Sequence, residues 1–170
     1  MFKSKRRTIG LALAFTAVAA AAAIAGPPWI SIEYPVNPLD PTAKGGVVTV
    51  RTYHHSDLVG YEIAGTAEGL VNGQRQSAKL EIRPLKLAGT YVVHWKKPAS
   101  GSWALLISTK RDGQHMATAV VKVDAAGQVA SVSVPSRTIE NGRWTVPRAV
   151  AASEVDAMLR TGANIAALSR

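Results

Sequence analysis

Four histidines are the residues of this chain best suited to chemistry: His54 and the adjacent His55, His94, and His115 followed by Met116. Imidazole binds copper and zinc, and thioether sulfur binds copper(I). Neighbouring residues on a strand point to opposite faces. His54 and His55 therefore share one ion only where a strand has ended, and Ser56-Asp57 and Gly60 are residues that end one. The candidate metal set is thus His54, His55, His94 and His115. Against it, no His-x-x-x-His pair and no Met-rich tract occurs, and past the first residues only Met116 and Met158 supply thioethers. No motif for a cofactor is present, and none is expected.

His55-Ser56-Asp57 contains the residue types of a hydrolase triad. A triad is a spatial arrangement, however, and three consecutive residues seldom form one. No Gly-x-Ser-x-Gly elbow occurs. Asp57, Glu62 and Glu68 are carboxylates of the kind glycosidases pair, but their setting reads as a loop and a strand edge, where solvation is the default. No catalytic residue is assigned, and the chain is expected not to be an enzyme.

The elements that carry these residues follow from hydrophobic period. Ile30, Ile32 and Tyr34 alternate with polar residues, as do Val48, Val50 and Thr52. Leu80 and Ile82, then Tyr91, Val93 and Trp95, continue the pattern. So do Trp103, Leu105 and Ile107 (with Leu106 on the opposite face), Ala119, Val121 and Val123, and Val132 and Val134. Period two puts one face of each strand into a core and the other toward water. Trp95 and Trp103 fall on the core face, so packing is their expected role, while Trp29 and Trp144 sit near strand ends beside Pro or Gly and are the better candidates for exposure.

Asn72-Gly73, Asp112-Gly113 and Asn141-Gly142 are dipeptides that take positive φ, as tight hairpins require. Pro98-Ala99-Ser100-Gly101 and Asp124-Ala125-Ala126-Gly127 break two further runs. About seven short strands with turn signals at near-regular spacing predict an all-β fold, an immunoglobulin-like antiparallel β-sandwich over residues 26–148, with a small barrel as the alternative that shows the same pattern. Residues 149–170 differ. Ser153 followed by Asp156 reads as a capping box, Val155, Met158 and Leu159 share a helical stripe, and Gly162 is placed to stop the helix. A short C-terminal helix over residues 153–160, docked on the sandwich and followed by a tail, is expected.

The chain opens with Lys3, Lys5, Arg6 and Arg7 and no acid, then runs uncharged and mainly apolar from Thr8 to Ala25. A cationic end before an apolar run is the layout of an export signal helix, and the cationic end stays on the cytoplasmic side. Ala23-Ile24-Ala25 supplies the small-x-small cleavage pattern, which gives a signal peptide over residues 1–25. Arg6-Arg7-Thr8-Ile9 partly resembles a twin-arginine signal, but Lys5 and Gly10 depart from it, and the general secretory route is expected. Retention as a membrane anchor is the alternative, since the run is close to the length that spans a bilayer. Periplasmic or secreted localisation follows.

Of 170 residues, 145 then remain, enough for one domain with a real core. Export permits disulfides, yet the chain has no cysteine, so burial and hydrogen bonding must supply its stability. The formal charge of +9 falls to +5 without the signal, because 4 of the 20 Lys and Arg lie in it against 11 acids elsewhere. Lys96-Lys97 and Lys110-Arg111 are isolated pairs beside turns. They read as solvated hairpin ends that favour solubility; contact with anionic lipid or wall polymer is the sharper alternative. No nucleic-acid partner is expected, since aromatic and basic residues are not interleaved.

Gly89-Thr90-Tyr91-Val92-Val93-His94-Trp95-Lys96-Lys97-Pro98, followed by Gly101-Ser102-Trp103-Ala104-Leu105-Leu106-Ile107, resembles the Gly-x-Tyr … Pro-x-x-Gly-x-Trp-x-Leu hairpin of exported bacterial immunoglobulin-like domains. The YtkA-like and CopC-like domains are among these. Gly65-Thr66-Ala67-Glu68-Gly69-Leu70-Val71-Asn72-Gly73-Gln74-Arg75 and the Gly26-Pro27-Pro28-Trp29 start are similar to a group of exported bacterial proteins that lends a fold and no activity. The resemblance implies a sandwich. It does not bring copper with it, because the CopC-like ligand set includes an N-terminal His and Gly26 stands there. The expected function is a non-catalytic exported binding or structural domain whose partner is an envelope protein or envelope component, with membrane contact only through an uncleaved signal. A copper- or zinc-binding domain is the alternative, and a small hydrolase the third reading.

Overall fold

The computed structural model describes residues 28–135, 138–145 and 147–168. The expected export signal and its cleavage site lie outside the described residues. The chain is an all-β antiparallel sandwich with one C-terminal helix. The first sheet is built from β1 (Pro28–Glu33), β2 (Val48–His54), β3 (Asp57–Leu58), β6 (Glu81–Pro84) and β7 (Thr90–His94), in the order β1-β2-β7-β6 with β3 paired to the end of β2. The second holds β4 (Glu62–Val71), β5 (Gln74–Lys79), β8 (Ser102–Arg111), β9 (Gln114–Val123) and β10 (Val129–Ser133), in the order β10-β9-β8-β4-β5. Counting β1, β2, β4, β5, β6, β7, β8 and β9 as A, B, C, C′, D, E, F and G gives sheets ABED and C′CFG, the immunoglobulin arrangement. β10 adds a strand beyond G. A two-stranded ribbon, β11 (Ile139–Glu140) and β12 (Arg143–Trp144), leads to helix α1 (Ala152–Leu168).

The alternation read from the sequence builds the core. Ile30, Val48, Val50, Val93, Trp103, Leu105, Ile107, Ala119, Val121 and Val123 pack into one cluster between the sheets. Each fully buried aliphatic side chain there contributes roughly 1.5–3 kcal/mol relative to exposure. Trp95 and Trp103 meet with ring centroids 5.7 Å apart, and the Trp103 indole N–H donates to the Ser100 carbonyl at 2.9 Å. Packing is thus the role of both rings. The three hairpin dipeptides have the expected geometry, with positive φ at Asn72 and Gly73, Asp112 and Gly113, and Asn141 and Gly142.

Several expectations need correction. The segment from Gly89 to Ile107 is not a hairpin: β7 pairs with β2 and β6, whereas β8 pairs with β4 and β9. Pro98–Gly101 therefore carries the chain from one sheet to the other. β4, ten residues long and central to its sheet, escaped the period-two reading because the middle of its core-facing side presents Gly65, Ala67 and Gly69, with large apolar residues only at its ends, Ile63 and Val71. A Cβ on Gly69 would lie 2.6 Å from the Trp103 ring, so the strand is small where the indole needs space. Tyr34 and Val132 are 42% exposed rather than buried, Tyr34 because β1 has ended and Val132 because it stands on the outermost strand, where the core ends.

The outer faces of the two sheets differ. On the second sheet, Ala104 and Val120 are buried under Val155 and Leu159 of α1, with Leu70, Leu106 and Met158 packed around them. Leu106 faces away from the central core because the helix gives it a second one. The helix begins earlier than expected: the Glu154 carboxylate accepts from the Ala151 N–H at 2.8 Å, and the Ala151 carbonyl accepts from Glu154 and Val155. Ala151 is thus the cap and Ser153 lies inside the first turn. The helix also runs past Gly162 to Leu168, because one glycine costs only about 1 kcal/mol against alanine and no proline follows.

Candidate functional site: an aromatic row on the first sheet

On the first sheet, residues of β2 that alternate with the core set are Thr49, Arg51 and Tyr53. Register pairs Glu33 with Thr49, Ser31 with Arg51, and Trp29 with Tyr53. Tyr53 is also opposite Leu58 of β3. The outer face therefore carries Trp29, Tyr53 and Leu58 in one row across three strands, each half-buried. Cross-strand aromatic pairs of this kind support one another and present flat apolar surface. The Arg51–Glu33 ion pair at 2.9 Å lies next along the face.

The far half of this face is covered. Residues 34–47, which join β1 to β2, fold back over it, so Val92 points outward yet is fully buried. A Cβ on Gly46 would come 2.2 Å from the Val92 methyl Cγ2, so glycine is what lets the chain lie that close. Asp40 pins the crossing segment by accepting from the Thr42 N–H at 2.9 Å and from the Thr42 hydroxyl at 2.6 Å. These bonds hold its carboxyl below the usual range, with Lys86 adding a smaller pull in the same direction. Trp29 and Tyr53 lie further along the face, since Val92 is opposite Thr49 and Tyr53 is four positions on along β2.

The four histidines are not brought together. His54 ends β2 and His55 follows in the turn with φ 59°, their rings 4.3 Å apart. Val48 is opposite Val93 and Arg51 opposite Thr90, so His94 lies at the far end of β2, roughly 20 Å from His54 along the strand. Half-buried His94 stands opposite Glu81, and its Nε2 is a buried atom without a hydrogen-bond partner. His115 belongs to the other sheet, opposite Lys110, and its Nε2 lies 3.1 Å from the Pro147 carbonyl on the path to α1. Among the described residues no group of three or more His, Cys, Asp or Glu is placed to hold a metal ion. Antiparallel pairing puts β7 and β2 ends with opposite polarity side by side, which separates His94 from His54.

The carboxylates are equally dispersed. His55 and Ser56 form the turn between β2 and β3, which Asp57 begins, and all three are exposed. Glu62 lies opposite Lys110 at the start of β4. Partial burial pushes the Glu68 carboxyl up, but hydrogen bonds from Thr66, Ser77 and Arg75 outweigh it and the net direction is down. Glu68 holds Arg75 at 3.0 Å, and Arg75 also pairs with Asp156 of α1. These groups fasten the helix to its sheet. Tyr91 donates its phenol hydrogen to the Tyr61 carbonyl at 2.6 Å, and burial pushes both phenols up, so they stay protonated at neutral pH.

Tyr53 is the surface residue that the linear pattern did not single out. Its signal was present in the set Thr49, Arg51 and Tyr53, but its pairing with Trp29 depends on a register that only the fold reveals. The side chain of Trp144 lies outside the described residues. Among the described residues no helix is long and apolar enough to cross a membrane. Comparison with protein-family models, curated proteins and solved structures finds no match for this chain.

Proposed function

We propose that this chain is a non-catalytic binding module exported through its N-terminal segment to the periplasm or cell envelope. There the aromatic row of its first sheet contacts an envelope protein or envelope component. The observation that carries the reading is the contrast between the two sheet faces. α1 covers one with Val155 and Leu159, while the other keeps Trp29 and Tyr53 side by side and half-buried. Tryptophan and tyrosine supply large contact area at little conformational cost and are over-represented among residues that dominate binding. The cationic start, the apolar run and Ala23-Ile24-Ala25 support export. The separation of Asp57, on the first sheet, from Glu62 and Glu68, on the second, supports a role without catalysis.

The test is affinity capture from envelope extract, comparing the natural chain with a Trp29→Ser, Tyr53→Ser double variant. The proposal expects one envelope component recovered reproducibly by the first and lost with the second. Recovery of nothing specific, or equal recovery by both, contradicts it.

A further inference from the structure

The sheet edges of this sandwich are not equally protected. Native edges are blunted with charge or proline, because an unpaired row of backbone N–H and C=O groups accepts another strand. Edge strand β5 carries Arg75 and Lys79, and β6 carries Glu81 and Arg83 and ends in Pro84. β1 carries Glu33. β10 has neither charge nor proline: from Ala125 through Pro135 the chain contains no charge, and no proline precedes Pro135, which leaves the bulge against β9 between Val129 and Ser131 as its protection. Among the described residues no strand lies on its far side, and Ala130, Ser131, Val132 and Ser133 are exposed.

We propose that β10 pairs with β10 of a second copy of this chain, antiparallel across a two-fold axis, joining two five-stranded sheets into one. The side chains choose that occupant. Val132 is opposite Val121, so it projects from the core face, yet it stays 42% exposed because the core ends there. Ser131 and Ser133 project from the other face, opposite Lys122 and Val120. With the axis at Val132, Val132 meets its own copy on the apolar face and Ser131 meets Ser133. Apolar residues face apolar ones and hydroxyls face hydroxyls. A two-fold axis sets each strand against itself, so in a chain of net positive charge an uncharged edge is the one that pairs without repulsion. A single strand pair is a small interface, so the dimer is weak.

Sedimentation equilibrium on the full chain recovered from an exporting host tests this across about 10 μM to 1 mM. A concentration-dependent shift from monomer to dimer is expected. Val132→Lys sets like charges across the axis and should raise the dissociation constant at least tenfold. Val132→Ile, which keeps an apolar branched side chain, and Gln76→Lys on β5 should leave it unchanged. Because the natural chain has no cysteine, Val132→Cys should give a disulfide-linked dimer under mild oxidation and Gln76→Cys should not. A monomer throughout the range, a dimer indifferent to Val132→Lys, or equal cross-linking at both positions would overturn the proposal.

Discussion

The indole of Trp103 lies against the backbone of Gly69, at a spacing that leaves no room for even a methyl group: a Cβ there would approach the ring to 2.6 Å. Gly69 and Trp103 are directly opposed residues of β4 and β8, so one strand is small where the other is large. Trp103 in turn packs on Trp95 at the place where the chain crosses between sheets. This pair locks the crossover to the core. Gly69→Ala should therefore destabilise the fold by about 1–3 kcal/mol through overpacking. Urea unfolding followed by tryptophan fluorescence measures it, and an unchanged midpoint contradicts the packing described.

Helix α1 should be a separable layer. Leu159 is 2% exposed and belongs to the small cluster between helix and sheet rather than to the central core. Leu159→Ala should cost about 2–5 kcal/mol, with faster hydrogen exchange in α1 and in the outer faces of β8 and β9. Exchange in β1, β2 and β7 should change only with the global stability. Uniform acceleration everywhere would show that the helix and the sandwich are one cooperative layer.

The cap of α1 has a pH signature. Hydrogen bonds from Arg148 and from the Ala151 N–H, aided by the Arg148 charge, lower the Glu154 carboxyl from 4.5 to about 2. A depressed folded-state value means that the contribution is complete above about 4.5 and is lost as pH falls toward 2. Carboxyl resonances followed by NMR should place the Glu154 midpoint near 2, and Arg148→Ala should move it back up toward 4.5. A midpoint already near 4.5 in the natural chain would remove the capping arrangement.

Metal uptake should not depend on the histidines jointly. Because His94 lies roughly 20 Å from His54 along β2 and His115 is engaged by Pro147, His94→Ala and His115→Ala should leave any weak zinc or copper response of the protein unchanged. Calorimetric titration checks this, and loss of a stoichiometric site in either variant would contradict the geometry.

Much of the sandwich was legible in the residues because side-chain period and turn chemistry are local. Val48-Val50-Thr52 and Trp103-Leu105-Ile107 announce their inner face without reference to any partner, and Asn72-Gly73 and Asp112-Gly113 announce their turns. What was hidden is relational. β4 is small because Trp103 is large, a fact that Gly65 and Gly69 do not state alone. Val92 and Val120 seem misplaced on outward positions until residues 34–47 and α1 cover them. Pro98–Gly101 looks like a hairpin turn and is a crossing between sheets, since turn residues alone do not specify which neighbour a strand takes. The separation of His94 from His54 was hidden for the same reason: spacing along the chain carries no strand polarity. Trp29 was visible as a candidate for exposure, whereas its partnership with Tyr53 required the register.

Site-specific photo-cross-linking in exporting cells tests the central claim most directly. A photoreactive residue in place of Tyr53, in the aromatic row, is compared with one in place of Ser77, on the exposed edge strand of the opposite sheet. A discrete adduct with an envelope component from position 53, and none from position 77, is the predicted result. The same adducts from both positions, or none from position 53 in cells that export the protein, would contradict the account.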